Sequence, residues 1–243
     1  MTPTAEHATV VLGYVHPGFV AEPFMASVLR CYARDIRGHQ HLRGTAEAHT
    51  SLIAYGRNIV VGEFLKAGDA EWLWMADTDI GFAPDALCQL VEAADPVERP
   101  IVAGLAFVSQ HGQIVANWAR WDAERTALLP LVELPSAVLS EIDGCGMAFT
   151  LIHRNVLEAL LAEHGGRDPG WAWFGHDQVR SGGIRLGEDY TFCLRAQRLG
   201  FKVWGHRGPF LDHYKVNKLN INAFARQEAR QAAIVAQLDQ AGQ

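Results

Sequence analysis

Short apolar runs alternate along the chain with longer stretches in which apolar residues recur at helical spacing. The first run predicts a strand over 8–16, and after a Pro-Gly break the spacing predicts a helix over 21–33. Residues 34–50 are polar and rich in histidine, and we interpret them as a short strand and a loop. A second helix is predicted over 51–67. This order is typical of an α/β sheet in which strands and helices alternate.

The remaining elements follow from the same patterns and from the positions of glycine and proline. Residues 176–183 have the composition of a mobile lid. A thin apolar stripe over 220–240 predicts one exposed helix, which would pack on the domain or join two copies in a homo-oligomer. The chain therefore divides into a domain over 1–219 and a C-terminal helical extension over 220–243. Further strands are predicted over 71–76, 100–104, the hairpin pair 114–121 and 127–134, 139–152 and 201–206, and further helices over 84–94, 155–163 and 190–199.

Two acidic residues, Asp77 and Asp79, come directly after the strand predicted over 71–76. Ligands of open α/β sheets bind at the carboxyl ends of strands, and Mg2+ and Mn2+ prefer carboxylate oxygens. An alternative is that the two aspartates cap the next helix. Pro84 argues against capping, because proline favours the first helical position and so places the helix start beyond both acids. The pattern therefore favours a site for a divalent cation and its phosphate partner.

Composition restricts the class of protein without indicating a reaction. The 243 residues carry a net charge of -6, with 49% hydrophobic and 20% charged residues, which is typical of a globular enzyme. The sequence has no basic stripe of the kind that would indicate non-specific binding to nucleic acids. The 4 cysteines lack the spacing of a zinc site or a disulfide framework. The first residues do not have the pattern of a signal peptide, and no apolar run is long enough for a membrane span. We therefore expect a cytoplasmic protein.

Glycines interrupt the strand that is predicted over 139–152. Gly144 and Gly146 flank Cys145 within an otherwise apolar run. Glycine inside a strand weakens its packing and marks either a β-bulge or a place where a ligand approaches the backbone closely. The sequence leaves both interpretations open.

Acidic residues also open a predicted helix late in the chain, at Glu188 and Asp189. The helix dipole favours acids in the first turn, which would explain them without a function. The alternative is a carboxylate that is held at the helix start and acts as a base in a cleft. Arg57 presents a planar fork of donors that suits a phosphate or a nucleobase, and His213 offers an imidazole ligand to a metal. Each of these two side chains also has an ordinary structural interpretation.

The order of these motifs resembles that of glycosyltransferases of the GT-A fold, over roughly residues 8–215. A D-x-D sequence, a glycine-bearing strand, a G-E-D sequence at a helix start and a late histidine are together similar to the family-2-like sugar transferases of bacteria and phages. The resemblance implies an α/β fold with a Rossmann-like, mixed, mostly parallel sheet that is flanked by helices. It also implies transfer of a sugar from a nucleotide-diphosphate sugar, with a UDP-sugar as the first expectation, to an acceptor hydroxyl. Mn2+ or Mg2+ would be the cofactor, and the configuration of the sugar would be inverted.

The resemblance assigns roles to single residues. Asp189, or in second place Glu188, would accept the proton of the acceptor hydroxyl. Asp79 and His213 would bind the metal, and Asp77 would lie near the sugar or ribose and the metal. The residues that would bind the nucleotide sugar are Arg57, Asp77, Gly144, Cys145 and Gly146.

The sequence leaves two other functions open. A sugar-phosphate nucleotidyltransferase would also place acids and Mg2+ at strand ends, although the first turn lacks a glycine- and lysine-rich loop for a triphosphate. A non-catalytic module that binds a sugar or a nucleotide would use the aromatic residues instead. The acceptor of a transferase could be a glycan, a protein or a modified nucleobase, and the sequence leaves all three open.

Overall fold

The computed structural model describes residues 8–68, 70–110, 113–124, 127–165, 172–175, 180–181 and 184–215. The predicted extension over 220–243, with its helix and its subunit contact, lies outside these residues, as does most of the predicted lid. Among the described residues, no helix combines the length and the apolar character that a membrane span requires. The helices are α1 (Glu22–Arg37), α2 (Ile53–Ala67), α3 (Ala86–Ala93), α4 (Arg154–His164) and α5 (Glu188–Arg198).

The strands belong to one large sheet and several short ribbons. They are β1 (Val10–His16), β2 (Leu42–His49), β3 (Trp72–Ala76), β4 (Ile80–Phe82), β5 (Ile101–Gly104), β6 (Phe107–Gln110), β7 (Gln113–Ala116), β8 (Trp118–Trp121), β9 (Leu128–Pro130), β10 (Leu139–Ile142), β11 (Gly144–Cys145), β12 (Phe149–His153), β13 (Arg180–Ser181), β14 (Ile184–Arg185), β15 (Val203–His206) and β16 (Leu211–His213).

A 7-stranded sheet in the order β10-β15-β5-β12-β3-β1-β2 forms the centre of the molecule. Strands β2, β1, β3, β5 and β15 run in one direction, and β12 and β10 run in the other. The carboxyl ends of the co-directional strands therefore meet at one edge of the sheet, where ligands of such folds bind. This arrangement confirms the predicted fold class, a mixed, mostly parallel sheet flanked by helices, and it is consistent with a GT-A-like fold.

Helices cover both faces of the central sheet. Leu73 and Met75 of β3 pack into a core with α2, α4 and α5, whereas Trp72 and Trp74 pack into a second core with α1 and α3. Because successive side chains of a strand point to opposite faces, a strand that is covered on both sides must be apolar at every position. This burial explains the unbroken apolar run before Asp77.

Two of the predicted strands are in fact divided between sheets. The strand predicted over 114–121 is broken at Asn117, so that β7 pairs with β6 while β8 pairs with β9 and β11. At the break, the backbone N–H of Asn117 donates to Ala106 O, which follows the register of β6 and β7, while its backbone O accepts from Gly146 N, which follows the register of β8 and β11. The strand predicted over 139–152 is three strands, because β10 and β12 join the central sheet and β11 joins β8.

Short ribbons extend the sheet at its carboxyl edge. β4 follows β3 after a tight turn and pairs with β16, so the end of the described chain returns to the turn that carries the two aspartates. The backbone N–H of Tyr214 donates to Asp79 O at 2.8 Å. Helix α3 has Asp85 as its N-cap, so neither Asp77 nor Asp79 caps it, as predicted from Pro84.

Candidate active site

The turn between β3 and β4 carries Asp77 and Asp79 and is held by backbone hydrogen bonds on both sides. Asp77 N donates to Ala148 O at 3.0 Å, and Thr78 O accepts from Ala21 N at 2.9 Å. The turn is thus tied to β12 and to the start of α1. The two aspartates, although only one residue apart, have different partners, and they divide the site into two regions.

The first region is the Arg57 cluster, which consists of Arg57, Asp77, Glu188 and Asp189. Arg57 lies on α2 and is only 4% exposed. Its Nη2 lies 3.0 Å from Asp77 Oδ1, and its Nη1 lies 3.1 Å from Glu188 Oε1 and also pairs with Asp189 Oδ1. Burial alone would lower the pKa of Arg57, but the three carboxylates outweigh burial and raise it. The guanidinium is therefore a fixed cation that joins α2, the start of α5 and the turn between β3 and β4, which we call the acid turn.

Asp189 has the most unusual environment of the three acids. Burial raises its pKa from the ordinary value of 3.8 to about 6, with Arg57 acting in the opposite direction and the neighbouring acids Glu188 and Asp77 adding to the rise. Its Oδ2 accepts a hydrogen bond of 3.1 Å from Met147 N. A carboxylate with a pKa near neutrality and a fixed orientation is suited to accept a proton.

The second region is the Asp79 pair, which consists of Asp79 and His213, with Lys215 next to it. His213 Nε2 lies 3.3 Å from Asp79 Oδ1, and Lys215 Nζ lies 2.6 Å from Asp79 Oδ2. His213 Nδ1 lies 2.8 Å from Phe107 O, and because a carbonyl oxygen can only accept, Nδ1 carries the proton. In the neutral ring, the lone pair of Nε2 is therefore directed towards Asp79.

The charges of this pair affect each other. Burial would raise the pKa of Asp79, but His213 and Lys215 outweigh burial and lower it. The Asp79 carboxylate in turn raises the pKa of His213. Asp79 is therefore an anion in the neutral range, and Lys215 balances its charge.

The donor atoms of the Asp79 pair fit Mn2+ or Mg2+. His213 Nε2 is buried and has no hydrogen-bond partner in the part of the chain that the structure describes, although it faces a carboxylate. An imidazole nitrogen that is oriented by a carbonyl at its other nitrogen is the usual state of a metal ligand. Within the described ranges, no group of 3 or more His, Cys, Asp or Glu side chains is arranged around a metal site. Two protein ligands suit an ion that is otherwise held by phosphate oxygens and water.

The surroundings of the other predicted residues, Asp77, Arg57 and Cys145, do not test their predicted roles directly. Asp77 pairs with Arg57, so its predicted contact with the metal remains a prediction. Arg57 was expected at the nucleotide, and that role also remains a prediction, because its guanidinium is buried among carboxylates. Cys145 is fully buried, and its Sγ lies 3.8 Å from Sγ of Cys193. A side chain in that position contributes to the core.

The two glycines of the same motif have different surroundings. A Cβ atom on Gly144 would lie 2.8 Å from Tyr190 Cδ1, which explains the glycine by the packing of α5 against β11. A Cβ atom on Gly146 would lie 3.6 Å from Asp189 Oδ2, at ordinary contact distance. Gly146 is therefore the member of the motif that lies next to the candidate base.

A histidine pair at the carboxyl ends of β1 and β2 was missed by the sequence analysis. His16 and His49 are paired in register, and their rings stack with centroids 5.2 Å apart and an angle of 6° between the planes. Thr78 Oγ1 lies 3.5 Å from Val15 O, so the pair lies close to the acid turn. The available signal was that each of the first two strands ends in histidine.

Comparison with known proteins identifies no family. No family model matches the chain, and no curated protein matches it. A solved structure, A197 from STIV, is similar over 86% of this chain and 86% of its own, with 16% identity and a TM-score of 0.52. At that identity, the similarity concerns the fold alone.

Two further solved structures are similar at lower scores. GalNAc-T7, crystallised with UDP, GalNAc and Mn2+, is 13% identical over 87% of this chain and 45% of its own, with a TM-score of 0.49. A glycosyltransferase involved in the glycosylation of the major capsid of PBCV-1 is 11% identical over 62% of this chain and 63% of its own, with a TM-score of 0.35. This chain thus spans less than two thirds of either protein, and we base no argument on these two similarities.

Proposed function

We propose that this chain is a metal-dependent glycosyltransferase that moves a sugar from a nucleotide-diphosphate sugar to an acceptor hydroxyl with inversion. One observation carries the proposal. A single turn connects two regions: the Arg57 cluster, which orients Asp189, and the Asp79 pair. In the Asp79 pair, the imidazole nitrogen faces the carboxylate at 3.3 Å without a hydrogen-bond partner among the described residues. The first region suits a base, and the second suits a cation with a diphosphate.

Asp189 acts as the base in this proposal. The acceptor hydroxyl transfers its proton to the carboxylate while its oxygen attacks the anomeric carbon. The bond from that carbon to the phosphate oxygen breaks, and the electron pair leaves with the nucleoside diphosphate. Arg57 and Met147 N hold the carboxylate in place, so little reorganisation is needed during the reaction.

Asp79 and His213 would hold the metal, and Asp77, the member of the Arg57 cluster on the same turn, would lie near the metal and the sugar or ribose. When bound, a divalent ion neutralises the charge that develops on the leaving diphosphate. Lys215 supplies a positive charge to the same carboxylate, so its ammonium is positioned to interact with a phosphate oxygen once a metal binds Asp79. No general acid is then required at the leaving group.

The nucleobase would stack on the histidine pair, His16 and His49. Aromatic faces accept any base, and the pair lies at the carboxyl ends of two parallel strands next to the acid turn. The choice of uracil rests on the resemblance of the sequence motifs to transferases that use UDP-sugars.

A donor screen tests the proposed function. Purified protein with Mn2+ is incubated with a panel of nucleotide sugars, and the release of nucleoside diphosphate is measured. We expect one donor to be consumed, and we expect Asp79→Asn to abolish this release. Glu63→Gln, which changes an acid on α2 that pairs with the exposed Lys66, is the matched control and should retain the wild-type rate.

Calorimetry with Mn2+ and UDP separates a transferase from the alternatives. We expect binding of UDP to require Mn2+ and to weaken at least about 10-fold in both Asp79→Asn and His213→Ala. Metal-independent binding of a sugar without any release of diphosphate would favour a binding module and contradict the proposal. Consumption of a nucleoside triphosphate with a sugar phosphate would favour a nucleotidyltransferase.

A further inference from the structure

Asn117 occupies the break between β7 and β8 and is only 4% exposed. Its backbone N–H donates to Ala106 O, and its backbone O accepts from Gly146 N, both at 2.9 Å. Its side-chain Oδ1 accepts a hydrogen bond of 2.9 Å from Ala106 N. Because a backbone N–H can only donate, this bond identifies the accepting atom as oxygen and the other terminal atom as the amide nitrogen.

The amide nitrogen of Asn117 has no hydrogen-bond partner among the residues that the structure describes. Buried polar atoms without a partner are rare in folded proteins, and each one requires an explanation. The two backbone bonds fix the position of Asn117, and the bond from Ala106 N to Oδ1 holds its side chain in this orientation. This amide nitrogen, which we call the orphan donor, is therefore held in a fixed position.

The orphan donor, the amide nitrogen of Asn117, lies close to Gly146 and to Asp189. A Cβ atom on Gly146 would lie 3.8 Å from Asn117 Nδ2 and 3.6 Å from Asp189 Oδ2. Gly146 itself is only partly buried. A position slightly closer to both atoms is within hydrogen-bonding reach of a donor and of an acceptor at once.

We propose that Asn117 Nδ2 and Asp189 Oδ2 together bind the acceptor hydroxyl of the substrate, an assignment that rests on the proposed function. The hydroxyl oxygen accepts a hydrogen bond from Asn117, and its hydrogen is donated to Asp189. The second lone pair of the oxygen attacks the anomeric carbon as the proton moves to Asp189 and the phosphate departs. The absence of a side chain at Gly146 leaves room for the oxygen.

This geometry restricts the chemical class of the acceptor. An alcohol oxygen has two lone pairs, one for the bond from Asn117 and one for the attack. A neutral amine nitrogen has a single lone pair, so it cannot accept from Asn117 and attack at the same time. The site therefore selects hydroxyl acceptors, including water in the absence of another acceptor.

Two variants test the assignment. Asn117→Asp keeps the acceptor for Ala106 N but removes the amide donor. Gly146→Ala places a methyl group in the proposed hydroxyl position, and its contacts of 3.5 Å or more are ordinary, so the fold should be retained. Gly62→Ala is the matched control, because a Cβ atom at Gly62 meets no atom within 4 Å.

The readout is release of nucleoside diphosphate from the donor with water as the acceptor, together with calorimetric binding of UDP and Mn2+. We expect kcat to fall roughly 10- to 100-fold in both variants, because the bond is made to a reacting oxygen, while UDP and Mn2+ bind as in the wild type. Gly62→Ala should retain the wild-type kcat. A purely structural role of Asn117 would weaken binding and thermal stability together.

The outcomes separate this inference from the proposed function. Wild-type turnover in both Asn117→Asp and Gly146→Ala would overturn the hydroxyl site and leave the transferase intact. A wild-type protein that consumes no nucleotide sugar would overturn both. Transfer to 3-amino-1,2-propanediol offers a second check, since a product linked through nitrogen would contradict the selection of hydroxyl groups.

Discussion

The Arg57 cluster and the Asp79 pair lie on one turn but are built in opposite ways. In the Arg57 cluster, a buried guanidinium is bonded to three carboxylates, and the geometry is complete within the protein. In the Asp79 pair, a lysine that is more than half exposed balances the carboxylate, and the facing imidazole nitrogen has no hydrogen-bond partner in the described part of the chain. The first region is therefore preorganised, whereas in the proposed function a metal and a diphosphate would complete the second.

The two regions also differ in their net charge. One cation faces three acids in the Arg57 cluster, so the turn carries an excess of negative charge close to the Asp79 pair. A divalent cation is attracted to such a place, and its phosphate partner is then attracted to the cation. The acids of the Arg57 cluster would therefore favour a cation at the Asp79 pair, whether or not Asp77 also contacts it.

The largest expected effect separates the two regions by activity. Asp189→Asn should reduce transfer on the order of 100- to 10,000-fold, because it removes the proton acceptor, while binding of UDP and Mn2+ at the Asp79 pair is unchanged. Glu188→Gln is the matched variant, since Glu188 also pairs with Arg57 Nη1 but lacks the bond from Met147 N. We expect a much smaller loss for it. Equal losses would show that the two carboxylates are not distinguished as proposed.

A second effect concerns stability. Arg57→Met removes the cation from among three carboxylates and should cost about 3 kcal/mol in the free energy of unfolding, at the low end for a buried pair because the acids are partly exposed. Lys66→Met, which breaks an ion pair whose lysine is 74% exposed, should cost roughly 0–1 kcal/mol. Urea unfolding measures both. Similar costs for the two variants would mean that the Arg57 cluster is no more preorganised than a surface pair.

The smallest effect is the pH dependence of Asp189. Its carboxylate must be ionised to accept a proton, so turnover at saturating Mn2+ should rise with pH and level off above the pKa of about 6. Ionisation costs more in the folded chain than in the unfolded one. The contribution of Asp189 to stability is therefore complete below pH 3.8 and is lost as pH rises through about 6.

The direction of the pKa shift of Asp189 can be checked by measuring the free energy of unfolding of the wild type and of Asp189→Asn between pH 3.8 and about pH 6. The wild type should lose stability relative to the variant as pH rises through this window. A wild type that gains stability relative to the variant would mean that Arg57 outweighs burial and that the pKa of Asp189 is lowered.

Much of this architecture could be predicted because it depends on local patterns. The apolar run before Asp77 is buried on both faces, and Pro84 places the start of α3 beyond the two acids. Strand ends collect at one edge of the sheet, so the sequence also indicated that Asp79 and His213 belong to one region. Their roles as metal ligands remain predictions.

The remaining features depend on contacts between distant parts of the chain. The role of Arg57 at the nucleotide remains a prediction, and its three partners in the structure come from the turn after β3 and from the start of α5. Asn117 gave no signal, because an asparagine within an apolar run does not reveal which of its polar atoms is left without a partner. The stacking of His16 on His49 follows from the register of β1 and β2, which local patterns do not fix.

The contacts of the candidate site join residues that are far apart in the sequence, which affects the order in which the site forms during synthesis. Arg57 and Asp189 are 132 positions apart, and Asp79 and Lys215 are 136 positions apart. Contacts of such length form late, because the entropy of closing long loops has to be overcome first. During synthesis, Arg57 therefore has Asp77 as a partner well before α5 emerges from the ribosome. A nascent or truncated chain that ends before α5 can form β1, β2 and β3 and still lack Asp189, the proposed proton acceptor.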